Sequence, residues 1–165
     1  DSIMLNRINL GHHSMQFAHQ LVPSCEELKF ALSAADKLSE DYGISISVSV
    51  PIPPCLINPR EYKNLHFGWC PRGNNESYYT IGNTGLVRPC NHSSQILGNL
   101  FEQSFKEIVT SELAKDYWKQ IPIYCKSCTN IFKEKCKGGC IAACYECNGT
   151  SKQMDPFIEF SLLTN

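Results

Sequence analysis

The chain has 165 residues, enough for one ordinary hydrophobic core, so size alone calls for no covalent staples. Fifteen basic and sixteen acidic residues leave a net charge of -1 with no long run of either sign, which sets aside nucleic acid and anionic membrane surfaces as partners. Ten cysteines far exceed the usage of a metal-free cytosolic protein, so something is bound or bridged.

No apolar run approaches the roughly 20 residues of a membrane-spanning helix. The opening "DSIMLNRINLGHHSM" has neither the basic nor the apolar region of a signal peptide. A soluble cytoplasmic protein is the expectation, although a processed chain would also have lost its signal. The run straight from Asp1 into strand-like sequence reads as a piece of something longer.

Ile3 to Leu10 alternates imperfectly and is β-compatible, which predicts a strand followed by the polar tail "GHHSM". Ser24 and Glu27 have the Ser-x-x-Glu form of a capping box. Leu28, Ala31, Leu32, Ala35 and Leu38 follow at helical spacing until Gly43, predicting a helix over Cys25 to Tyr42. Ile44 to Val50 places four apolar residues opposite three serines and ends at Pro51, predicting a second strand. Strand, helix and strand make a β-α-β unit with a parallel pair. Such a unit cannot cover both faces of its sheet, so it calls for neighbours in a larger α/β domain.

From "PIPPC" (Pro51 to Cys55) the character changes. "YYTIGNTGLVR" predicts a hairpin over Tyr78 to Arg88. Ser104 to Gln120 opens with a second capping box, Ser104 and Glu107, and carries Phe105, Ile108, Val109, Leu113 and Tyr117 on an apolar stripe, predicting one helix between two groups of cysteines.

"CKSCTNIFKEKCKGGC" puts Cys125, Cys128, Cys136 and Cys140 into sixteen residues. A disulfide framework is one reading, with Asn-x-Ser/Thr sites at Asn75, Asn91 and Asn148 to suit a secreted protein. Yet the close pairs bring several thiols to one place, and Gly138 and Gly139 let the backbone fold around a bound object. A zinc knuckle is the stronger competitor, but it uses only four cysteines and leaves Cys25, Cys55, Cys70, Cys90, Cys144 and Cys147 to a second, scattered site. Two iron-sulfur clusters take four thiolates each and would use eight of the ten.

Cys70, fourteen residues, Gly85, four residues, Cys90, then Cys125-x2-Cys128, Cys136-x3-Cys140 and a cysteine beyond resemble the seven-cysteine pattern of SPASM domains. These are the C-terminal auxiliary-cluster domains of radical S-adenosylmethionine (radical SAM) enzymes. "GLVRPC", "LGNLFEQSFKEIVTS", "CKGGC" and "DPF" stand where the resemblance would put them and extend it over Cys70 to Phe157, more than half the chain.

The resemblance implies an α/β architecture: residues 1-60 as the last β/α units of a partial TIM-like barrel, and residues 61-165 as a small α+β SPASM domain with a hairpin and a helix. It implies two auxiliary clusters, of 4Fe-4S type. Cys70, Cys90 and Cys140 would bind the first, with Cys55 as candidate fourth ligand. Cys125, Cys128 and Cys136 would bind the second. The family's final cysteine commonly sits two residues after an Asp-Pro, where this chain has Ile158, so either Cys144 or Cys147 substitutes, or the second cluster has an open site or a non-cysteine ligand. The stretch between Cys128 and Cys136 also exceeds the five residues of the simplest motif.

The SAM-binding Cys-x3-Cys-x2-Cys motif is absent from these residues, so the chain alone is expected to be catalytically silent. In the intact enzyme the resemblance implies oxidative modification of a peptide or protein substrate through a 5'-deoxyadenosyl radical. S-adenosylmethionine would be cosubstrate and a flavodoxin or ferredoxin electron donor, with the auxiliary clusters relaying electrons or positioning substrate.

The remaining candidates have plainer readings beside the functional ones. His12 and His13 could line a pocket at a strand end or sit in a solvated loop. His66 and His92 could tune or ligate a cluster or serve as loop residues. Cys25 could be a helix-terminus thiol or simple packing. Tyr78, Tyr79, Tyr117, Trp118 and Tyr124 could bind a peptide or pack a small domain.

Overall fold

A computed structural model describes residues 1-11 and 13-163. In chain order the elements are β1 (Ser2–Leu5), a 3-10 turn (Ser14–Phe17) running into α1 (Ala18–Leu21), α2 (Cys25–Tyr42), β2 (Ser45–Val48), β3 (Leu65–Phe67), β4 (Thr80–Ile81), β5 (Leu86–Arg88), β6 (Gly98–Asn99), α3 (Phe105–Thr110), α4 (Glu112–Lys119), α5 (Lys133–Cys136), α6 (Ile141–Asn148) and α7 (Pro156–Leu163). The architecture is mixed α/β, with two small three-stranded sheets.

The first sheet is parallel, in the order β1-β2-β3, with Ile3 opposite Ile46, Ile46 opposite Leu65, and Val48 opposite Phe67. Its central strand buries Ile46 and Val48 against Leu28, Leu32 and Ala35 of α2. The capping box forms as its sequence predicts: Ser24 Oγ accepts from the Glu27 N–H and Glu27 Oε2 accepts from the Ser24 N–H. Gly43, in the left-handed conformation, ends α2.

Two features of this half differ from the sequence expectation. The first strand stops at Leu5, because Asn6 and Arg7 turn their side chains to other work: Asn6 Oδ1 accepts from Ser49 Oγ, and Arg7 is buried at 7% exposure. A third strand, β3, lies beyond residue 60 and flanks the predicted pair. It is held by α2, whose Asp36 accepts from the Asn64 N–H and whose Ser39 hydroxyl donates to the Ile44 and Asn64 carbonyls. The C-terminal α7 packs Phe157 and Ile158 into this same core.

The second sheet is antiparallel, β4-β5-β6, and contains the predicted hairpin. It packs on α3 and α4 through Val87, Leu97, Ile108, Ala114 and Tyr117. The single helix expected over Ser104 to Gln120 is instead two. Ser111 takes an extended ψ of 157° and its hydroxyl accepts from the Ala114 N–H, capping a fresh helix. The break shifts the stripe, burying Ala114 and leaving Leu113 53% exposed.

Candidate functional site

Nine of the ten cysteines lie along Cys55 to Cys147, and all ten are unpaired thiols. Seven of them line two pockets.

The first pocket, of about 670 Å³, opens at the carboxyl ends of β1 and β2, where Asn6 and Ser49 form part of its wall. Cys70, Cys90 and Cys140 line it. Each arrives from a different local structure. Cys70 follows Trp69 after β3, Cys90 follows Pro89 at the end of the hairpin, and Cys140 is the N-cap of α6, its sulfur 3.5 Å from the Ala143 nitrogen. Asn9 Nδ2 approaches the same sulfur at 3.7 Å.

The second pocket, of about 750 Å³, is lined by Cys55, Cys125, Cys128 and Cys136. Cys125 and Cys128 sit in consecutive turns, with the Cys128 N–H donating to the Cys125 carbonyl, and Cys136 closes α5. The next three residues all have positive φ: Lys137 at 49°, Gly138 at 95° and Gly139 at 81°. A Cβ on Gly138 would lie 2.4 Å from Pro122 Cδ and 3.4 Å from Cys125 Sγ, so glycine is required there by contact as well as by conformation. This left-handed turn is what separates Cys136 in one pocket from Cys140 in the other.

Buried polar groups hold the turn. Arg72 donates to the carbonyls of Gln120 and Lys137 at 2.6 Å each and of Gly139 at 3.3 Å. Asp155 accepts from the Cys140 N–H at 2.9 Å and from Arg7 Nη2 at 2.5 Å, and both members of that ion pair are fully buried. Arg7 thus ties the end of β1 to the residue that fixes Cys140. It also donates to the Pro51 carbonyl and lies over the Phe157 ring.

Burial dominates the electrostatics of these thiols, with Arg7 and Arg72 opposing it at Cys140, Cys125 and Cys136. Burial, reinforced by Cys136, pushes the Cys55 thiol up to about 11, and burial beside Asp155 pushes Cys140 up to about 11. Burial likewise raises Cys125, with Cys136 and Cys128 adding to it. Cys136 and Cys90 are raised by burial too, but backbone N–H groups work in the opposite direction: those of Gly138 and Gly139 at Cys136, and of His92 and Ser93 at Cys90. Such donors stabilise sulfur that carries negative charge.

This donor set fits an iron-sulfur group. The ligands are thiols, and backbone N–H groups aim at the sulfurs of Cys136, Cys90 and Cys140. Among the described residues no three His, Cys, Asp or Glu side chains form a group that could hold one metal ion.

The placement of three cysteines departs from what the resemblance implied. Cys55 shares its pocket with Cys125, Cys128 and Cys136, not with Cys70 and Cys90, because Asn130 of the Cys125–Cys136 loop donates to the Pro54 carbonyl and ties the "PIPPC" turn to that loop. Cys144 does not reach that pocket: it is fully buried on α6, and burial raises its thiol strongly. Cys147 points the other way and donates its S–H to the Leu10 carbonyl at 3.3 Å. Ile158 lines the second pocket.

Of the other candidates, His92 lines the first pocket, where burial and then Arg7 lower its pKa. His66 is exposed on β3, and His13 is exposed beside Phe17. His12 lies outside the described residues. Cys25 opens α2 and packs against the parallel-sheet core. Tyr79, Tyr117 and Trp118 pack edge to face, while Tyr78 and Tyr124, 60% and 61% exposed, stand one at each pocket.

Sequence reasoning did not single out Arg7, Asn9 or Arg72. The available signal was Arg7 between Leu5 and Ile8 in the strand-like run "IMLNRINL", where a charge that is buried needs a partner.

Residues 70–148 match the family model for SPASM, an iron-sulfur cluster-binding domain. The match spans 79 of the 165 residues and supports iron-sulfur binding by this stretch. No curated protein and no solved structure matches the chain.

Proposed function

We propose, with the SPASM match as premise, that the chain is the auxiliary-cluster portion of a radical SAM enzyme that oxidatively modifies a peptide or protein, and that residues 1-60 belong to the end of its barrel. The observation that carries the reading is the position of the first thiol pocket at the carboxyl ends of parallel strands, the face on which open α/β sheets bind their ligands.

Cys70, Cys90 and Cys140 hold one 4Fe-4S cluster, and Cys125, Cys128 and Cys136 belong to the second. When bound, such clusters supply one-electron chemistry at potentials set by burial and hydrogen bonds to sulfur. The chain's own residues set those conditions. The N–H groups of Gly138, Gly139, His92 and Ser93 favour charged sulfur at Cys136 and Cys90. The Arg7–Asp155 pair fixes Cys140 relative to β1. Tyr78 and His92 form part of the wall between the first site and solvent.

The test uses the full-length enzyme that the proposal implies, including the SAM-binding cysteines absent from these residues, incubated anaerobically with S-adenosylmethionine and dithionite. Release of 5'-deoxyadenosine is the expected result. Full iron content without any release would overturn the radical SAM assignment while leaving cluster binding in place.

A further inference from the structure

The second pocket contains a thiol from outside the SPASM match, and its surroundings hold it there. Cys55 occupies a turn closed by the Leu56 and Ile57 N–H groups, which donate to the Pro53 carbonyl at 2.9 and 3.3 Å. Asn130, between Cys128 and Cys136, donates through Nδ2 to the Pro54 carbonyl at 3.2 Å, tying that turn to the cysteine loop. Two further contacts fasten the same loop: Phe132 stacks on Trp69 with ring centres 5.7 Å apart, and the Arg60 guanidinium lies 5.6 Å from the Phe132 ring centre.

We infer that Cys55 is the fourth thiolate of the second cluster, entering from ahead of the domain and serving in place of a terminal cysteine at position 158. This rests on the iron-sulfur reading of the site. Ile158 lines the same pocket, so the vacancy in the sequence pattern and the extra thiol meet in space. Cys144 is enclosed within its own helix packing, and Cys147 is engaged with Leu10. On loading, the Cys55 S–H bond breaks, an Fe–S bond forms and the proton passes to solvent, with no change in oxidation state. Four thiolates then surround the second cluster, and the first keeps the three of Cys70, Cys90 and Cys140.

The experiment isolates the second site with Cys70→Ser and Cys90→Ser and reads iron and sulfide per chain, together with electron paramagnetic resonance after mild oxidation. The parent variant should hold about four irons. Adding Cys55→Ser should at least halve the retained iron, or convert the signal to that of a three-iron cluster. Adding Ile158→Cys to that protein should restore four irons. Cys144→Ala with Cys147→Ala should leave the parent content unchanged. Cys55 lies outside every helix and strand and keeps solvent-exposed surface although its thiol faces the pocket. An unchanged far-ultraviolet circular dichroism spectrum of the metal-free variant is the control that makes a loss of iron report ligation rather than folding.

Unchanged iron and spectrum in the Cys55→Ser protein would overturn the assignment. A parent that binds no iron, while the unsubstituted chain binds none either, would overturn the iron-sulfur reading beneath it. Loss of iron on replacing Cys144 and Cys147, but not Cys55, would return the fourth ligand to α6.

Discussion

Replacing Asp155 with Asn keeps the side chain's size, removes its charge and turns one acceptor oxygen into a donor, where Arg7 at the end of the parallel sheet meets the Cys140 backbone. Asp155 Oδ2 accepts from Arg7 Nη2 and from the Cys140 N–H, and Oδ1 accepts from the Phe157 N–H at 3.1 Å. An amide oxygen can still serve Phe157, but its NH2 group then faces two donors. The Arg7 guanidinium, with no exposed side-chain surface, is left without a counter-charge. Removing one partner of a buried pair costs about 3–5 kcal/mol. Against a total stability of about 5–15 kcal/mol this is a large fraction, and it corresponds to a fall of roughly 6–20 °C in Tm for a chain of this size. Thermal and urea unfolding followed by circular dichroism, at matched iron content, measures it. The Arg7→Met/Asp155→Asn double variant should cost less than the sum of its singles, since neither charge is then stranded. A loss below about 1 kcal/mol for Asp155→Asn, the scale of an exposed ion pair, would refute the buried-clamp reasoning.

Gly138→Ala forces a Cβ against Pro122 and beside Cys125 Sγ at a φ of 95°, so iron at the second site should fall and stability drop by about 1–3 kcal/mol, read by iron analysis and urea unfolding. Ser24→Ala removes the cap of α2 and should cost about 1 kcal/mol in the same unfolding assay. The Ser24 N–H and hydroxyl hold Glu27 below the ordinary carboxylate range. Its contribution is therefore present above that range and lost as pH falls through the lowered value, and Glu27→Gln should flatten the acid limb of the stability profile. Cys70→Ala with Cys90→Ala should empty the first site while visible absorption from the second persists, whereas a collective role for all seven thiols would bleach the protein.

What could be read from the sequence was whatever local chemistry decides. Ser24, Glu27 and Gly43 bound α2 because capping groups act within one turn, and "IGNTG" turned the hairpin for the same reason. The two short strands of the β-α-β unit pair in parallel because the helix between them returns the chain to the same end of the sheet. Ser111 could not be told from an ordinary helical serine, since its capping role depends on how α3 and α4 each meet Val87 and Leu97. Leu65 to Phe67 is too short a run to announce a strand, and is one only because α2 presents Asp36 and Ser39 to Asn64.

At the site, spacing grouped Cys125 with Cys128, but the close pair Cys136 and Cys140 is split between the two pockets by the positive-φ turn at Lys137, Gly138 and Gly139, as the family resemblance and not the spacing implied. Spacing could not place Cys55, which is seventy residues upstream of Cys125 and reaches the second pocket through long-range packing of Asn130 and Phe132.

The central claim, that these thiols enclose iron-sulfur clusters, is tested most directly by iron, acid-labile sulfide and zinc per chain in protein purified anaerobically, with the ultraviolet-visible spectrum of the same sample. The account predicts about eight irons, a matching amount of sulfide and broad visible absorption. Stoichiometric zinc in a colourless protein without iron would contradict it.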